Sequence, residues 1–385
     1  LRLQETATVN TDEIRAGIPV TDQYLYFNTG GISPATRAVT ECLVQEAKDI
    51  AQHGPPVLMD NTGHHERLQA ARQRIANFCG VEASDLCLTH GVADGVTTVF
   101  NGLDFQAGDE LILTDEEHPA VKMPAQRLAD DLGVTIHYLP IHGSEDDILA
   151  RLDALLTRRT RLLALSHVTT DTGTRLPAKR IVDCAHAAGV PVLYDGAQSL
   201  GQFPVNVTDL GADFYSLLVY KWLYGPYSAG ALYVESSWHD RLRVVPSSAN
   251  YYDDGGVKRF EFATVPAPYY YATVAGLDTI DGIGVGNIQP YVTELATHMR
   301  AELATISGVH IENPTDPGMC TGVVTFRAEG VEGPHISTEL RNRKIITRPT
   351  GLKSSGVRVS ISFFNTAAEI DAVVAAVAEI VDAAA

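Results

Sequence analysis

Short apolar runs alternate with stretches of helical periodicity through the middle of the chain. Strands that read as continuous apolar runs and alternate with helices are typical of a mainly parallel sheet covered on both faces. The pattern therefore predicts an α/β fold, in which ligands bind beyond the carboxyl ends of the strands. The predicted strands are LCLT (86–89), ELILT (110–114), VTIHYLPI (134–141), RLLALSHV (161–168), VPVLYD (190–195), FYSLLVY (214–220) and GALYV (230–234).

The C-terminal part of the chain has a different pattern. Its runs VVTFRAEG, KIITR and VRVSISF predict the strands of a small α+β unit, and a final helix follows. Thr366 and Glu369 have the spacing of a capping box at the start of that helix. We therefore expect a terminal segment (1–20) that packs on the small unit, a large domain (21–275) and a small domain (276–385).

Two of the predicted helices in the large domain have clear ends. They cover residues 119–132 and 177–188 and are followed by Gly133 and Gly189. Glycine is favoured after the last turn of a helix because it adopts the left-handed conformation without steric cost. We therefore expect both glycines to end their helices.

Composition and charge exclude several classes of protein. The 385 residues are 45% hydrophobic and 20% charged, and no apolar run is long enough to span a bilayer, which predicts a soluble protein without a membrane partner. A formal charge of -18 without a basic stripe argues against nucleic-acid binding. The five cysteines are scattered and form no CxxC, so neither a disulfide framework nor a metal site is expected. The sequence LRLQETATVNTDEIRAG does not resemble a signal peptide, which predicts a cytoplasmic location.

A lysine and a carboxylate follow neighbouring predicted strands. Asp195 ends VPVLYD, and Lys221 follows FYSLLVY. A lysine in apolar surroundings has a lowered pKa and is a usable nucleophile. Such a pair suits pyridoxal phosphate, because the lysine forms a Schiff base and the carboxylate keeps the pyridine nitrogen protonated. Taken alone, an Asp-Gly pair after a strand is also consistent with an ordinary turn.

Two further segments lie at predicted strand ends. In LCLTHGVADG, Gly91, Val92 and Ala93 stand where a strand passes into a helix, so free backbone N–H groups are available for a phosphate. In LTDEEHPAV, His118 precedes Pro119, a residue favoured in the first helical turn. The histidine is consistent with a helix cap, or with a ring that stacks on a cofactor and moves protons.

Taken together, these segments resemble the class V aminotransferase family of fold-type-I pyridoxal-phosphate enzymes. The resemblance covers about residues 24–375 and implies a mainly parallel seven-stranded sheet in the large domain. The family includes cysteine desulfurases, isopenicillin N epimerases and cyst(e)ine C–S lyases. The segments that carry it are YLYFNTGGISP, LTHGVADG, TDEEHPAV, LSHVTTDTG, YDGAQSLG, YKWLYGP, KRFEFAT and VRVSISFFNT.

The resemblance also implies roles for individual residues. Lys221, Asp195 and His118 are the expected catalytic residues, with His118 stacked on the ring. Arg358, whose guanidinium suits bidentate binding of a carboxylate, would bind the substrate together with Asn28 and Gly30. Thr264 would reach the phosphate of the other subunit of a homodimer with shared active sites. The residues expected to bind pyridoxal 5'-phosphate are Lys221, Asp195, Gln198, His118, Gly91, Val92, Ala93, Thr170, Tyr220 and Thr264.

Several positions depart from the family pattern. The segment IITRPTGLKSSG (345–356) lacks the mobile cysteine with which desulfurases form a persulfide. Thr170 replaces the usual asparagine, Tyr220 replaces the histidine before the lysine, and Leu218 replaces a small hydroxyl residue. Because the last two positions usually help to bind phosphate, we hypothesise that the Tyr220 hydroxyl is a replacement donor; packing of its ring is the alternative.

The overall pattern is most similar to the cyst(e)ine C–S lyases. We therefore expect a carbon–sulfur lyase that performs β-elimination on a cysteine S-conjugate and releases a thiol or persulfide, pyruvate and ammonia. The tyrosine-rich segments 251–252 and 269–271 are candidates for the pocket of such a conjugate, although aromatic runs also form cores and interfaces. Epimerisation, transamination, decarboxylation or oxidative deamination of an amino acid stay open, as does a non-catalytic relative.

Overall fold

A computed structural model describes residues 9–55, 63–244, 256–262, 264–351 and 355–384. The helices are α1 (Thr11–Ala16), α2 (Arg37–His53), α3 (His64–Cys79), α4 (Val92–Gly102), α5 (Pro119–Leu132), α6 (Glu145–Leu155), α7 (Ala178–Ala187), α8 (Val207–Leu210), α9 (Ala267–Ile283), α10 (Val285–Leu303), α11 (Gly333–Asn342) and α12 (Ala367–Asp382). The strands are β1 (Leu25–Tyr26), β2 (Leu86–Thr89), β3 (Glu110–Thr114), β4 (Thr135–Leu139), β5 (Thr160–Ser166), β6 (Val192–Asp195), β7 (Phe214–Leu218), β8 (Gly230–Val234), β9 (Val309–Ile311), β10 (Val323–Ala328), β11 (Ile345–Ile346), β12 (Arg348–Pro349) and β13 (Val357–Ser360).

A seven-stranded sheet in the order β2-β8-β7-β6-β5-β3-β4 forms the centre of the molecule. The pairs from β7 to β4 are parallel, and β8 runs antiparallel to both of its neighbours. This confirms the predicted α/β fold with a mainly parallel seven-stranded sheet. Strand β4 ends at Leu139, earlier than expected, because Pro140 has no N–H to continue the ladder.

The inner strands of the sheet are buried on both faces, as their continuous apolar runs predict, whereas the edge strand β4 is partly exposed. Leu193 and Phe214 belong to a hydrophobic cluster with α4 and α5. Their neighbours in the strands, Tyr194 and Tyr215, belong to a second cluster with α3 and α7. Successive side chains of a strand point to opposite faces, so one strand supplies both cores. The carboxyl edge of the sheet stays open between these two layers.

Helix ends follow the sequence signals. The prediction that Gly133 and Gly189 end their helices is confirmed, with φ angles of 73° and 74°. The capping box of Thr366 and Glu369 at the start of α12 is confirmed as well. None of the helices in the described ranges is long and apolar enough to cross a membrane.

A separate four-stranded antiparallel sheet, in the order β12-β13-β10-β9, packs against α10 and α11. Near the amino terminus, Arg15 forms an ion pair of 2.6 Å with Glu369 and donates to the carbonyl of Phe364 at 3.0 Å. These contacts support the expected packing of the first residues on the small unit. The boundary at residue 275 stays a prediction, and α9 runs through it without interruption.

Candidate functional site

A cavity of about 770 Å³ opens at the carboxyl edge of the seven-stranded sheet. Its walls come from the residues that follow β1, β2, β3, β6 and β7, together with β12. Parallel strands bring their carboxyl ends to one edge, so residues distant in sequence meet there. The predicted site residues that line this cavity are Asn28, Gly91, Val92, Ala93, His118, Asp195, Tyr220 and Lys221.

Lys221 lies just beyond β7, whose buried apolar residues carry it to the edge of the sheet. Its side chain is almost fully enclosed, and the residue is 6% exposed. The pKa of the amine is lowered to about 8, mainly by burial and also by the charges of Arg358 and Arg348, whereas Asp195 opposes the shift. A substantial fraction of the amine is therefore neutral near pH 8, as a nucleophile or base requires.

The turn that carries Lys221 is bonded to the smaller sheet. The N–H of Tyr224 donates to the carbonyl of Lys221 at 3.2 Å, and Tyr224 has a φ of 56°, which is uncommon for a bulky residue. Its hydroxyl lies 2.6 Å from the hydroxyl of Ser362, just after β13, and its ring lies 4.7 Å from that of Phe363. These contacts fix the lysine turn against the strand that contains Arg358.

Asp195 ends β6 and is buried beside Lys221. One carboxylate oxygen accepts the N–H of Ala197 at 2.8 Å. Burial raises the pKa of this carboxyl, whereas Lys221 and the Ala197 N–H lower it. A buried carboxylate of this kind is stabilised by a further cation, such as a protonated pyridine nitrogen.

His118 is the N-cap of α5. Its Nδ1 accepts the N–H of Ala120 at 3.1 Å, which leaves the proton of the neutral ring on Nε2. Burial, together with the positive charges of Lys221, Arg348 and Arg358, lowers the pKa of the ring to about 4. His118 is therefore neutral at physiological pH, and its ring is held as a fixed wall of the cavity. The predicted helix cap is confirmed, and stacking of the ring on a cofactor stays a prediction.

The start of α4 forms part of the cavity wall. Gly91, Val92 and Ala93 line the cavity, so the first N–H groups of the helix and its positive dipole face it. The hydroxyl of Ser216, on β7, donates to the carbonyl of Val92 at 3.1 Å and fixes the turn. This part of the wall is suited to an anion such as a phosphate.

Tyr220 is half-buried and lines the cavity, as does Leu218. Its carbonyl accepts the N–H of Ser33 at 2.9 Å and the Ser33 hydroxyl at 3.1 Å. Its ring lies 5.6 Å from the ring of Tyr227, which is exposed. The ring thus packs on a neighbour while it borders the cavity, and the role of its hydroxyl in phosphate binding stays a prediction.

Arg358 is in the centre of β13 and is 1% exposed. Its Nη1 donates to the carbonyl of Thr170 at 3.0 Å, whereas Nε and Nη2 are buried without a hydrogen-bond partner. Burial and the nearby Arg348 lower its pKa to about 10, so the side chain stays charged at neutral pH. Two buried donors without acceptors are costly, and a ligand carboxylate would satisfy both.

The remaining predicted residues do not line the described walls of the cavity. Gln198 donates from Nε2 to the carbonyl of Gly30 at 2.8 Å and accepts the Trp222 N–H at 2.7 Å. It therefore ties the turn after β1 to the lysine turn, and the predicted contact with the cofactor ring stays a prediction. Thr264 is exposed, and Thr170 contributes its carbonyl to Arg358.

Two site residues were missed by the sequence analysis. Arg348 lines the cavity from β12 and lies directly opposite Arg358 in the antiparallel register. Glu117, next to His118, is buried between β3 and β5. The only sequence signals were a charged residue in the run KIITR and the acidic pair before His118. Of the other segments considered, 251–252 lies outside the described residues, and Tyr270 and Tyr271 are buried in a hydrophobic core.

Known proteins are similar to this chain over most of its length. A model of the class-V aminotransferase family matches residues 26–373. A cysteine desulfurase from Cronobacter sakazakii is 31% identical over 342 residues, which cover 80% of this chain and 81% of the relative. The solved structure of the cystine C–S lyase C-DES with its reaction product cysteine persulfide has a TM-score of 0.87 and 27% identity, over 94% of this chain and 99% of that one. The fold of an apo cysteine desulfurase from Thermococcus onnurineus NA1 is also the same, with a TM-score of 0.87, 23% identity and 100% of both chains covered.

The cavity supplies what pyridoxal phosphate requires. Lys221 offers a partly neutral amine, Asp195 a buried carboxylate, His118 a neutral ring, and the turn at Val92 and Ala93 backbone donors at a helix start. The predicted fold type, pyridoxal-phosphate dependence and enzyme class are confirmed by the family match and the relatives. The chain therefore belongs to the class-V aminotransferase family.

Proposed function

We propose that this enzyme is a carbon–sulfur lyase that performs β-elimination on an S-substituted cysteine. The products are a thiol or persulfide, pyruvate and ammonia, and one water is consumed. One observation carries the proposal: one cavity is lined by Lys221 and Arg348, the charge of Arg358 is close enough to lower the pKa of Lys221, and no cysteine is among the described lining residues. The relatives named above, a cysteine desulfurase and a cystine C–S lyase, support cleavage of a carbon–sulfur bond.

Arg358 and Lys221 have separate roles in the proposed reaction. Pyridoxal phosphate, when bound, withdraws electrons from the Cα of an attached amino acid. Arg358 binds the α-carboxylate with its two free donors and orients the Cα–H bond toward Lys221. The neutral Lys221 amine removes that proton and returns it to the departing sulfur. The bond between Cβ and sulfur breaks, and water then converts the three-carbon product into pyruvate and ammonia.

The cysteines support elimination rather than transfer of sulfur to the protein. Cys79 and Cys87 are buried, and burial raises the pKa of the Cys79 thiol to about 12. The pKa values of Cys42, Cys184 and Cys320 are also raised, with burial as the largest cause. A thiol with a raised pKa is a poor nucleophile at neutral pH. A persulfide on this protein is therefore not part of the proposed reaction.

Arg348 indicates the nature of the sulfur substituent. It lines the same cavity as Lys221 and is the register partner of Arg358, whose pKa its positive charge lowers. Like charges on directly opposite residues destabilise an antiparallel pair, unless a ligand compensates them. One α-carboxylate satisfies Arg358. An acidic group on the sulfur substituent would satisfy Arg348.

A panel of S-substituted cysteines tests the function. We expect release of pyruvate and ammonia, identified by mass spectrometry, with faster turnover of conjugates that carry a distal carboxylate than of neutral ones. Arg348→Leu should lower kcat/KM for acidic conjugates about fivefold and leave neutral ones nearly unchanged, since an exposed charge pair contributes on the order of 1 kcal/mol.

The same panel detects the competing activities. Racemised, transaminated or decarboxylated products would show that the enzyme catalyses one of the alternative reactions and not elimination. Loss of turnover on alkylation of the cysteines, with a persulfide trapped on one of them, would restore the desulfurase alternative.

Tyr220→Phe tests the replacement donor for the phosphate. A hydrogen bond to a charged group contributes about 1.5–3 kcal/mol, so the dissociation constant of pyridoxal phosphate should rise by about one to two powers of ten without loss of chemistry. Fluorescence titration of the apoprotein measures it. Tyr227→Phe is the matched control, because this exposed ring borders Tyr220 but does not line the cavity. Equal affinities in wild type and Tyr220→Phe would leave only the packing role.

We also propose a homodimer with shared active sites. Thr264 is exposed, as are Phe262 and Tyr269 near it in sequence. Ile32, which lines the cavity, and Tyr227, which packs on Tyr220, are exposed as well. Exposed apolar groups of this size favour an interface with a second copy. Sedimentation of a fully active monomer would contradict this proposal.

A further inference from the structure

Glu117 is a buried carboxylate that the reaction outlined above does not use. It is 3% exposed and lies immediately before His118. Its Oε1 accepts the Thr114 hydroxyl at 2.7 Å and the Ser166 N–H at 2.8 Å, and its Oε2 accepts the Ser166 hydroxyl at 2.7 Å. A carboxylate is expensive to bury, and this one is held by donors from two different strands.

These hydrogen bonds connect β3 and β5 beyond the point where their backbone pairing ends. The register of β3 with β5 ends at Ile112 and Leu163, although both strands continue beyond these residues. Glu117 lies in the gap and joins Thr114 at the end of β3 to Ser166 at the end of β5. The loop that contains His118 is thereby fixed to the sheet at the edge of the cavity.

The hydrogen bonds to Ser166 also bring Glu117 close to the strand that carries Asp195. Ser166 is the direct partner of Asp195 in the register of β5 with β6, and Asp195 is in turn the partner of Ser216 on β7. Glu117 is bound at the end of β5, and Asp195 is at the end of the neighbouring strand β6. Both are buried, so little solvent screens their interaction.

Burial and one neighbouring carboxylate determine the proton affinity of Glu117. Its pKa is raised to about 7, mainly by burial and also by the charge of Asp195, whereas hydrogen bonds from Thr114 and Ser166 oppose the shift. Titratable groups near it in the fold include Asp115, Glu116 and His118 in the same loop, His167 after β5, and Lys221 at the cavity. The carboxyl group therefore changes its charge within the range of pH in which enzymes work.

We propose that Glu117 is a positioning residue that sets the proton affinity of Asp195. Its ionised carboxylate repels a second negative charge at Asp195, so Asp195 holds the proton of a bound pyridine nitrogen more strongly. The inference rests on the pairing of Asp195 with that nitrogen, which is part of the proposed function. It adds a pH-dependent control that neither the sequence nor the proposed reaction contains.

Glu117→Gln tests this inference through coenzyme affinity as a function of pH. At pH 6, where Glu117 is mostly protonated, wild type and variant should bind pyridoxal phosphate equally. At pH 8.5 the variant should bind about tenfold more weakly, the effect of a change of about one unit in pKa. A ratio of dissociation constants that is the same at both pH values would overturn the proposal, because a purely structural role gives a constant ratio.

The matched control is Glu110→Gln. Glu110 is a buried carboxylate at the start of β3, where it accepts hydrogen bonds from Thr157 and Arg159, far along the strand from the cavity. Its variant should bind the coenzyme as wild type does at both pH values. If Glu117→Gln does not fold, Glu117→Asp keeps the charge and should retain the strengthening of affinity with pH that the proposal requires.

A double variant separates this inference from the proposed function. In an Asp195→Asn background, Glu117→Gln should cause no pH-dependent change in affinity, because the coupling partner is absent. A persistent effect in that background would overturn the coupling. If Asp195→Asn alone leaves affinity unchanged, the pairing of Asp195 with the ring is wrong, and the inference fails with it.

The apoprotein gives a readout without coenzyme or activity. A carboxyl whose pKa is raised from 4.5 to about 7 in the folded state makes folding less favourable as the pH rises through this window. Glu117→Gln removes this loss, so its unfolding equilibrium constant should change less than that of wild type between pH 5 and 8, by up to about two powers of ten. Parallel curves for the two proteins would mean that Glu117 does not titrate there, and would overturn the proposal.

Discussion

Lys221→Ala is expected to lower turnover by roughly four to six powers of ten, the range seen when an essential nucleophile or base is removed. The protein should stay folded, because Lys221 follows the last residue of β7 and the strand keeps its ladder with β6 and β8. Removal of a buried amine with a lowered pKa also relieves a desolvation cost. Steady-state assays measure turnover, and circular dichroism measures folding. The visible absorbance before and after borohydride reports whether the coenzyme is bound to a lysine.

Lys179→Ala is the matched control for this prediction. Lys179 is an exposed lysine on α7 that pairs with Asp183 one helical turn away, and surface pairs of this kind contribute little. The control should keep full turnover and absorbance. Normal activity of the Lys221→Ala variant would remove the basis of the proposed reaction.

Arg358→Lys is expected to lower kcat/KM for cysteine conjugates by about two to three powers of ten. Lysine keeps the positive charge but lacks the planar pair of donors that a carboxylate binds in a bidentate manner. Nε and Nη2 of Arg358 are buried without partners, so a carboxylate bound there would be desolvated and its hydrogen bonds strong. The change should appear mainly in KM if the carboxylate is bound equally before and during the reaction.

The control for Arg358 is Arg327→Lys. Arg327 is on β10, next to β13 in the smaller sheet, and pairs with Glu312 at the surface. Its variant should have the kinetics of wild type. An Arg358→Lys enzyme with unchanged kcat/KM would show that the α-carboxylate is bound elsewhere.

The sequence predicts the sheet and the residues at its open edge for a simple physical reason. The inner strands are continuous apolar runs that stay buried in the sheet. The first polar residue at or after the end of such a run therefore lies at the carboxyl edge of the sheet. Asp195 and Lys221 were found in this way, and both line the cavity. The capping box at Thr366 is equally local, because it depends on two residues in one turn.

What the sequence could not predict depends on contacts between distant segments. Nothing near Glu117 in sequence indicates burial, because its donors include Ser166 on another strand. Arg348 is a site residue only because β12 lies beside β13. Gln198 has a place in the family pattern, yet its amide is engaged by Gly30 and Trp222. Such roles follow from tertiary structure and not from local pattern.

The contact between Tyr224 and Ser362 limits how the two sheets can move. The lysine turn and the segment after β13 are joined by a buried hydrogen bond and by aromatic packing against Phe363. To separate them would expose these rings and leave a tyrosine hydroxyl without a partner, which is unfavourable. The smaller sheet is therefore held to the lysine turn at this point, as it is to the segment after β5 by the hydrogen bond from Arg358 to the Thr170 carbonyl. A displacement of the smaller sheet would carry the lysine turn with it, so this contact keeps the spacing between Lys221 and Arg358 constant.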